Sequence, residues 1–445
     1  MSTSTKLSAP TFSYRTVAAV YIPLAAMWIM MGVEQPGLNA VIARLPAAEL
    51  QLAAFGVTFS LALIVESPVL QMLAAATALT TGRGNYRRLT NFMHVLAGAL
   101  TVIHTLLALP PVYRFLIEKS AGIPHELIEP SRLAFTVMIP WAAAVGYRRL
   151  WQGILIKYGK AKVVPVTMIT RLVVTALGLG TGLFLRSIPG ALVAAGSVIL
   201  GVIAGAVSSY LFARPVIRRE FHSRPGAAEA GYADKKQDEQ EMSTRALLSF
   251  YVPLALTSVI VLGARPLLTF GIAQAPMATR SLAVWPVIIA FTFLFQSLAL
   301  ALQEAVIALY RREEDLVVIK RFSYALAGLL LLTFWLVVLT PVWRLWFGGV
   351  AGLTPRLIEM VHLPLAIVTL FPTFFVFVSL YRGILVKRRH TRTITRAVML
   401  NSTTLAVVMF GGAFLLPVAG AVTAAIAFSL SIFLEVLYLH YYSTY

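Results

Sequence analysis

Cysteine is absent from the chain, which excludes disulfides and thiolate-held metal centres. Charge is scarce: 12% of the residues are Asp, Glu, Lys or Arg, too few to coat a soluble protein of 445 residues. Acidic residues are scarcer still, 18 against 37 Lys and Arg, for a formal net charge of +19. In a soluble chain that balance would suggest nucleic acid, but no aromatic-basic nucleic-acid module accompanies it. The alternating segments of roughly ten residues that mark a transmembrane barrel are missing as well. There is no HExxH motif, and His94 and His104 stand roughly 15 Å apart along a helix, too far to share a metal ion. The stretch from Gly153 to Lys160 lacks the glycine spacing of a phosphate loop, and Ala161 replaces its hydroxyl residue. With no catalytic constellation, neither an enzyme nor a self-contained ATP-driven pump is expected, and no metal or organic cofactor.

What the chain has is apolar length. Hydrophobic residues make up 59% of it and the mean hydropathy is +0.81. They come in blocks of about 20 or more, enough to cross roughly 30 Å of hydrocarbon as helices whose backbone bonds are all internal. Twelve spans are predicted, over 17–43, 52–80, 89–117, 131–157, 164–185, 189–213, 247–275, 282–309, 321–344, 357–386, 395–416 and 418–441. The apolar block after the polar residues 1–14 continues through Glu34 and Pro36 without a small-residue cleavage site, and is expected to be a retained first helix. Basic residues cluster in the loops after even-numbered spans, as Arg83, Arg87 and Arg88, then Lys157, Lys160 and Lys162, then Arg311, Arg312, Lys320 and Arg321, then Lys387, Arg388, Arg389 and Arg392. The positive-inside bias puts both termini in the cytoplasm of a multi-pass protein, expected in the plasma membrane, or the inner membrane of a bacterium.

A repeat runs through the sequence at an offset of 230 residues. Tyr21-Ile22-Pro23-Leu24-Ala25 reappears as Tyr251-Val252-Pro253-Leu254-Ala255. Pro36 maps to Pro266, Pro46 to Pro276, Glu66-Ser67 to Gln296-Ser297, and Gly153 through Lys157 to Gly383 through Lys387. Six spans per repeat is an even number, so the copies are parallel, related by an axis along the membrane normal. The fold class expected is therefore an all-α polytopic membrane protein of twelve transmembrane helices in two parallel six-helix repeats. An N-terminal lobe over 1–213 and a C-terminal lobe over 246–445 are joined by a charged cytoplasmic linker over 214–245. Two such lobes enclose a cleft that can open to either side, the geometry of a secondary transporter.

Charged side chains inside the spans are the candidate functional residues, since at the bilayer centre each costs about 2.5–3.5 kcal/mol on insertion scales. Glu34 precedes Gln35, Pro36 and Asn39 in the first span; Pro36 cannot donate to the Gly32 carbonyl, and the resulting polar patch suits a proton, a cation or a substrate group. A structural ion pair at a packing kink is the competing reading. Arg265 holds the repeat position of Gln35, with Thr269 matching Asn39, so Arg265 either pairs with Glu34 across the lobes or holds an anion. Glu66 is a further buried carboxylate, whose counterpart Gln296 keeps polarity without charge. Glu304 either takes part in ion coupling or meets a basic loop residue such as Arg311. Arg148 and Arg149 in the fourth span and Arg382 in the tenth suit bidentate capture of phosphate or carboxylate, or else lie at lipid headgroups. Gln35, Asn39, Arg148, Arg149, Arg265 and Arg382 are thus the candidate substrate ligands, and Glu34, Glu66 and Glu304 the candidate ion-coupling groups, for a proton or sodium. The small-xxx-small pairs Gly178–Gly182 and Gly201–Gly205 are read as close helix packing.

Across nearly its whole length the chain resembles the progressive ankylosis (ANK) transporters, within the superfamily of multidrug exporters and lipid-linked-sugar flippases. The resemblance lies in Glu34-Gln35, Leu38-Asn39, Ala54-Phe55-Gly56 with Phe59-Ser60-Leu61, and Gly153-Ile154-Leu155 with Lys157. It continues in Leu248-Ser249-Phe250 with Pro253-Leu254-Ala255-Leu256, Arg265-Pro266, Trp285-Pro286-Val287, Glu304, Pro364-Leu365 and Phe371-Pro372. It implies a V-shaped, MATE-like fold and export of a polyvalent anion such as pyrophosphate, citrate or a nucleotide. The chain departs from animal members around Glu66 and through the eighth span. The expected partners are the bilayer and a small anionic substrate, with no nucleic acid, and the expected state is a monomer. A cation or multidrug antiporter and a lipid-precursor flippase remain the other transporter readings.

Overall fold

A computed structural model of the protein describes residues 13–222, 242–388 and 390–444. The polar residues 1–12 and most of the charged linker, 223–241, lie outside the described residues. All regular structure among those described is helical. Twelve helical runs cross the molecule: α1 (Tyr14–Ile42), α2 (Ala48–Leu79), α3 (Arg83–Ala108), α4 (His125–Val137 with Trp141–Lys157), α5 (Ala161–Leu185) and α6 (Gly190–Phe221), then α7 (Thr244–Ala273), α8 (Ala278–Leu309), α9 (Glu313–Leu339), α10 (Pro355–Lys387), α11 (Arg392–Leu415) and α12 (Gly420–Thr444). Eleven are long and apolar enough to span a bilayer; the other is α4, which a turn at 138–140 divides and which carries Arg148 and Arg149.

Proline sets most interruptions. Pro36 disfavours helix at its i−4 residue, and α1 breaks there, between Gly32 and Glu34. Ser67-Pro68 turns α2 into a 3-10 stretch, Ser67–Gln71; the Ile64 carbonyl that Pro68 cannot serve accepts instead from the Ser67 hydroxyl at 2.7 Å. By contrast α7 runs on through Pro253 and Pro266. Two expected boundaries shift for similar reasons. The third span ends at Ala108 rather than 117, and the ninth at Leu339 rather than 344, because Pro110-Pro111 and Pro341 follow. The sixth runs past 213 to Phe221, so the first residues assigned to the linker are helical.

The offset of 230 governs structure even where the sequences have diverged. Ala47 and Met277, 230 apart, both take left-handed backbone conformations (φ 55° and 54°) at the starts of α2 and α8. One-turn π-helices occur at Phe115–Ser120 and Leu345–Val350, followed by left-handed Gly122 and Gly352. Packing repeats likewise: α4 lies on α2, α3 and α6, as α10 lies on α8, α9 and α12. Helices α5 and α6 approach closely through Gly178 and Gly201, where a Cβ would come within 2.8 Å of Ser197 Oγ and of the Arg171 carbonyl.

Helices α1 and α7 cross over. Each reaches the opposite half of the chain: α1 packs mainly on α8 and α9, while α7 packs on α2 as well as on α11 of its own half. Between them α2 meets α8 where Gly56 faces Pro286, again 230 residues apart; a Cβ on Gly56 would sit 2.8 Å from Pro286 Cγ. At the face opposite the linker, further ties join the halves. Arg44 donates to the Gly349 carbonyl at 2.5 Å, Thr279 donates to Glu126 at 2.5 Å, and Arg280 pairs with Glu49 at 3.5 Å. At the linker face the Met242 N–H donates to Asn85 Oδ1 at 2.8 Å, seating the start of the second half on α3.

Candidate functional site

Five charged side chains converge inside the N-terminal half: Glu34 on α1, Glu66 on α2, Arg148 and Arg149 on α4, and Arg171 on α5. Glu34, in the first turn of the segment after the α1 break, is ion-paired with Arg171, and both are mostly buried. Glu66, 6% exposed, sits where α2 passes into its 3-10 stretch, within electrostatic reach of all three arginines. Arg148 is 5% exposed, and its one side-chain hydrogen bond among the described residues runs from Nη1 to the thioether sulfur of Met168 at 3.3 Å. That burial excludes a headgroup role for Arg148. Half-buried Arg149 lies within electrostatic reach of both Glu66 and Tyr251 on α7, which places it on the wall between the halves. Gln152, one turn beyond Arg148, donates to Thr167 at 2.9 Å.

The C-terminal half has a smaller polar centre. Arg382 on α10 is ion-paired with Glu435 on α12, 2% exposed at its side chain, and Asn401 on α11 hydrogen-bonds the same carboxylate. Asn401 and Arg171 occupy equivalent repeat positions, as do Arg382 and Gln152, so the two centres lie at matching places. Sequence reasoning had named Arg382 but neither Arg171 nor Glu435. Both lie inside predicted spans, and the criterion that selected Glu34 selects them too.

Arg265 does not meet Glu34; Glu34 is held by Arg171, and no charged group acts on Arg265. Tyr251, Ser258 and Arg265 follow at seven-residue spacing, so they share one stripe of α7. The first two touch α2, Tyr251 through the Pro68 carbonyl at 2.7 Å and Ser258 through Gln71 at 2.7 Å. Arg265 therefore faces the N-terminal half rather than lipid. Its side chain is exposed at the end of a stripe whose earlier members, Tyr251 and Ser258, are buried against α2, so it opens onto the crevice between the halves. Among the described residues it has no hydrogen bond and no ion pair. Tyr21, Trp28 and Gln35 form the matching stripe on α1: Tyr21 donates to the Leu298 carbonyl at 3.1 Å and Trp28 to Glu304 at 3.1 Å. Glu304 thus meets Trp28, not Arg311. Asn39 is buried and donates to the Pro286 carbonyl at 3.3 Å, which ties the halves together and removes it from any open space.

No protein-family model matches the sequence, and no curated protein matches it. Solved structures do. The chain superposes on an inward-facing multidrug resistance MATE family transporter of the MOP superfamily with a TM-score of 0.61 at 14% identity, over 97% of this chain and 95% of that one. It superposes on the lipid II flippase MurJ, in an inward closed conformation, with a TM-score of 0.65 at 14% identity, over 95% and 88%. A MOP superfamily transporter from Pyrococcus furiosus, described as having a binding pocket of reverse polarity, gives 0.59 at 13% identity over 97% and 96%. The fold is MATE-like. At these identities the likeness concerns architecture, and the residues of this chain must supply the chemistry.

Proposed function

We propose that the protein is a secondary active transporter exporting a small polyvalent anion, of the pyrophosphate, citrate or nucleotide kind, by alternating access. Arg265 carries this reading: a guanidinium in a crevice between the halves, with no carboxylate to neutralise it, is a ligand for an anion that comes and goes. The MATE-like architecture supports alternating access, and the resemblance to ANK transporters supports the anion class. Lobes 1–213 and 246–445 would rock against each other about the Gly56–Pro286 crossing. We place the linker over 214–245 and both termini in the cytoplasm, the protein in the plasma membrane, and the working unit as a monomer.

Ion coupling is assigned to Glu34 and Glu66. Three arginines beside two carboxylates oppose a sodium ion there, so a proton on Glu66 is the better coupling species. Glu304, bonded to Trp28, and Arg382, bonded to Glu435, are given supporting roles. The test is efflux of radiolabelled pyrophosphate and citrate from proteoliposomes. Arg265→Ala should abolish flux with an unchanged melting temperature, and undiminished flux would defeat the site assignment. A multidrug–cation antiporter or a lipid-precursor flippase is the second reading, supported by the MATE and MurJ likenesses. It predicts drug–proton exchange or lipid flipping in the same liposomes, without pyrophosphate movement.

A further inference from the structure

We infer that the five-residue cluster inside the N-terminal half is a binding site for a small monovalent inorganic anion of chloride size, separate from the crevice that Arg265 faces. Charge is the first argument. With every group ionised, three arginines and two glutamates leave one positive charge, and among the described residues no carboxylate outside the cluster acts on Glu66, Arg148 or Arg149. The C-terminal centre, one arginine and one glutamate, is balanced.

Unsatisfied polar atoms are the second argument. Among the described residues, twelve buried side-chain nitrogens and oxygens have no hydrogen-bond partner, and five of them are here. Three are donors, the Nε atoms of Arg148, Arg149 and Arg171; the other two, Glu34 Oε1 and Glu66 Oε2, are acceptors that an anion does not serve. Arg148 and Arg149 present ten N–H donors between them, and the one hydrogen bond they make is to a thioether, a weak acceptor. Glu66 hydrogen-bonds to neither arginine, so their donors are not spent on the carboxylate. A buried guanidinium left without acceptors is costly, and an anion supplies both acceptors and the missing negative charge.

Size is the third. On α6, Gly205 faces this cluster; a Cβ there would meet Arg171 Cβ at 3.2 Å and Arg148 Cδ at 3.4 Å. With a hydrogen in that position the two arginine stems just fit, and packing this close favours a small anion over a phosphate.

The experiment measures thermal unfolding of the purified full-length protein in detergent, with chloride or bromide exchanged for gluconate at constant ionic strength. Saturable stabilisation by both halides, absent in gluconate, is expected. Arg148→Gln should raise the half-saturating concentration about tenfold through loss of a charge-assisted ligand. Glu66→Gln, which removes a negative charge and keeps the shape, should lower it, and this variant stands in should Arg148→Gln not fold. Arg265→Ala should leave the halide response intact even if pyrophosphate transport is lost, so the two readings fail separately. A response equal in gluconate, a response weakened by Glu66→Gln, or one abolished by Arg265→Ala would overturn the site.

Discussion

The Tyr251 hydroxyl donates to the Pro68 carbonyl at 2.7 Å, and 230 residues earlier the Tyr21 hydroxyl donates to the Leu298 carbonyl at 3.1 Å. Pro68 and Leu298 are themselves 230 apart, so one bond is the image of the other. Such reciprocity, where one position contacts a second and the second's copy contacts the first's, is the signature of a two-fold interface. It is achieved here within one polypeptide.

Loss of either hydroxyl should therefore be felt in both halves. Tyr251→Phe and Tyr21→Phe are each expected to lower stability by about 0.5–1.5 kcal/mol, the usual worth of one hydrogen bond. Chemical unfolding in detergent measures this, with equal m-values as the check that only the bond has changed.

The Gly56–Pro286 crossing has no room for a methyl group. Gly56→Ala places a Cβ 2.8 Å from Pro286 Cγ and should destabilise by about 1–3 kcal/mol, as overpacking does. Gly180→Ala, where nothing lies within 4 Å, is the control and should be neutral or better, since alanine is the stronger helix former.

Breaking a buried ion pair from one side is worse than removing it. Arg171→Gln leaves the Glu34 carboxylate without its partner and should cost about 3–5 kcal/mol. Glu34→Gln combined with Arg171→Gln should recover much of that loss. A double-mutant cycle on unfolding free energies reads the coupling directly, and strictly additive losses would contradict it.

Arg265 and Arg382, both intramembrane arginines, should separate in their effects. Arg265→Ala removes a side chain with no bond in the protein and should spare stability while abolishing transport. Arg382→Ala strands Glu435, which is 2% exposed at its side chain, and should lower the melting temperature markedly. Glu435→Gln introduced alongside it should restore much of that loss.

Eleven of the twelve helices were legible from length and apolarity, the divided and charged α4 from its place in the repeat, and the repeat because residues such as Tyr21/Tyr251 and Gly153/Gly383 kept their identity. Glu66, Arg148 and Arg149 were legible as intramembrane charges, and the structure brings them together. Their partnership was not, since it depends on which faces of α2, α4 and α5 meet, and helix rotation leaves no mark in composition. The same gap explains Glu34. Repeat position suggested Arg265 as its partner, but α7 turns Arg265 toward the crevice while α5 carries Arg171 to the carboxylate. Glu435 was legible as an intramembrane carboxylate, but its partnership with Arg382 and Asn401 was not, because it joins three helices of one bundle.

Under the proposed alternating access, parting the halves at the face opposite the linker would break the Arg44 bond to the Gly349 carbonyl. Arg44→Ala should bias the protein toward that opening. Because the chain has no cysteine, a single Leu63→Cys on α2 is a unique reporter of access. A membrane-impermeant maleimide added from that side should label it faster in the Arg44→Ala background, and an unchanged rate would remove Arg44 from the gate.

Since α1 packs mainly on the other half and α7 lays one side on α2, neither half is complete on its own surface. Produced as two separate polypeptides, divided between residues 222 and 242, each would expose the groove that the other's first helix fills. Co-expression should yield a working complex, whereas either fragment alone should be degraded. The covalent connection then serves to deliver equal amounts of both pieces, and embrace between neighbours does the holding.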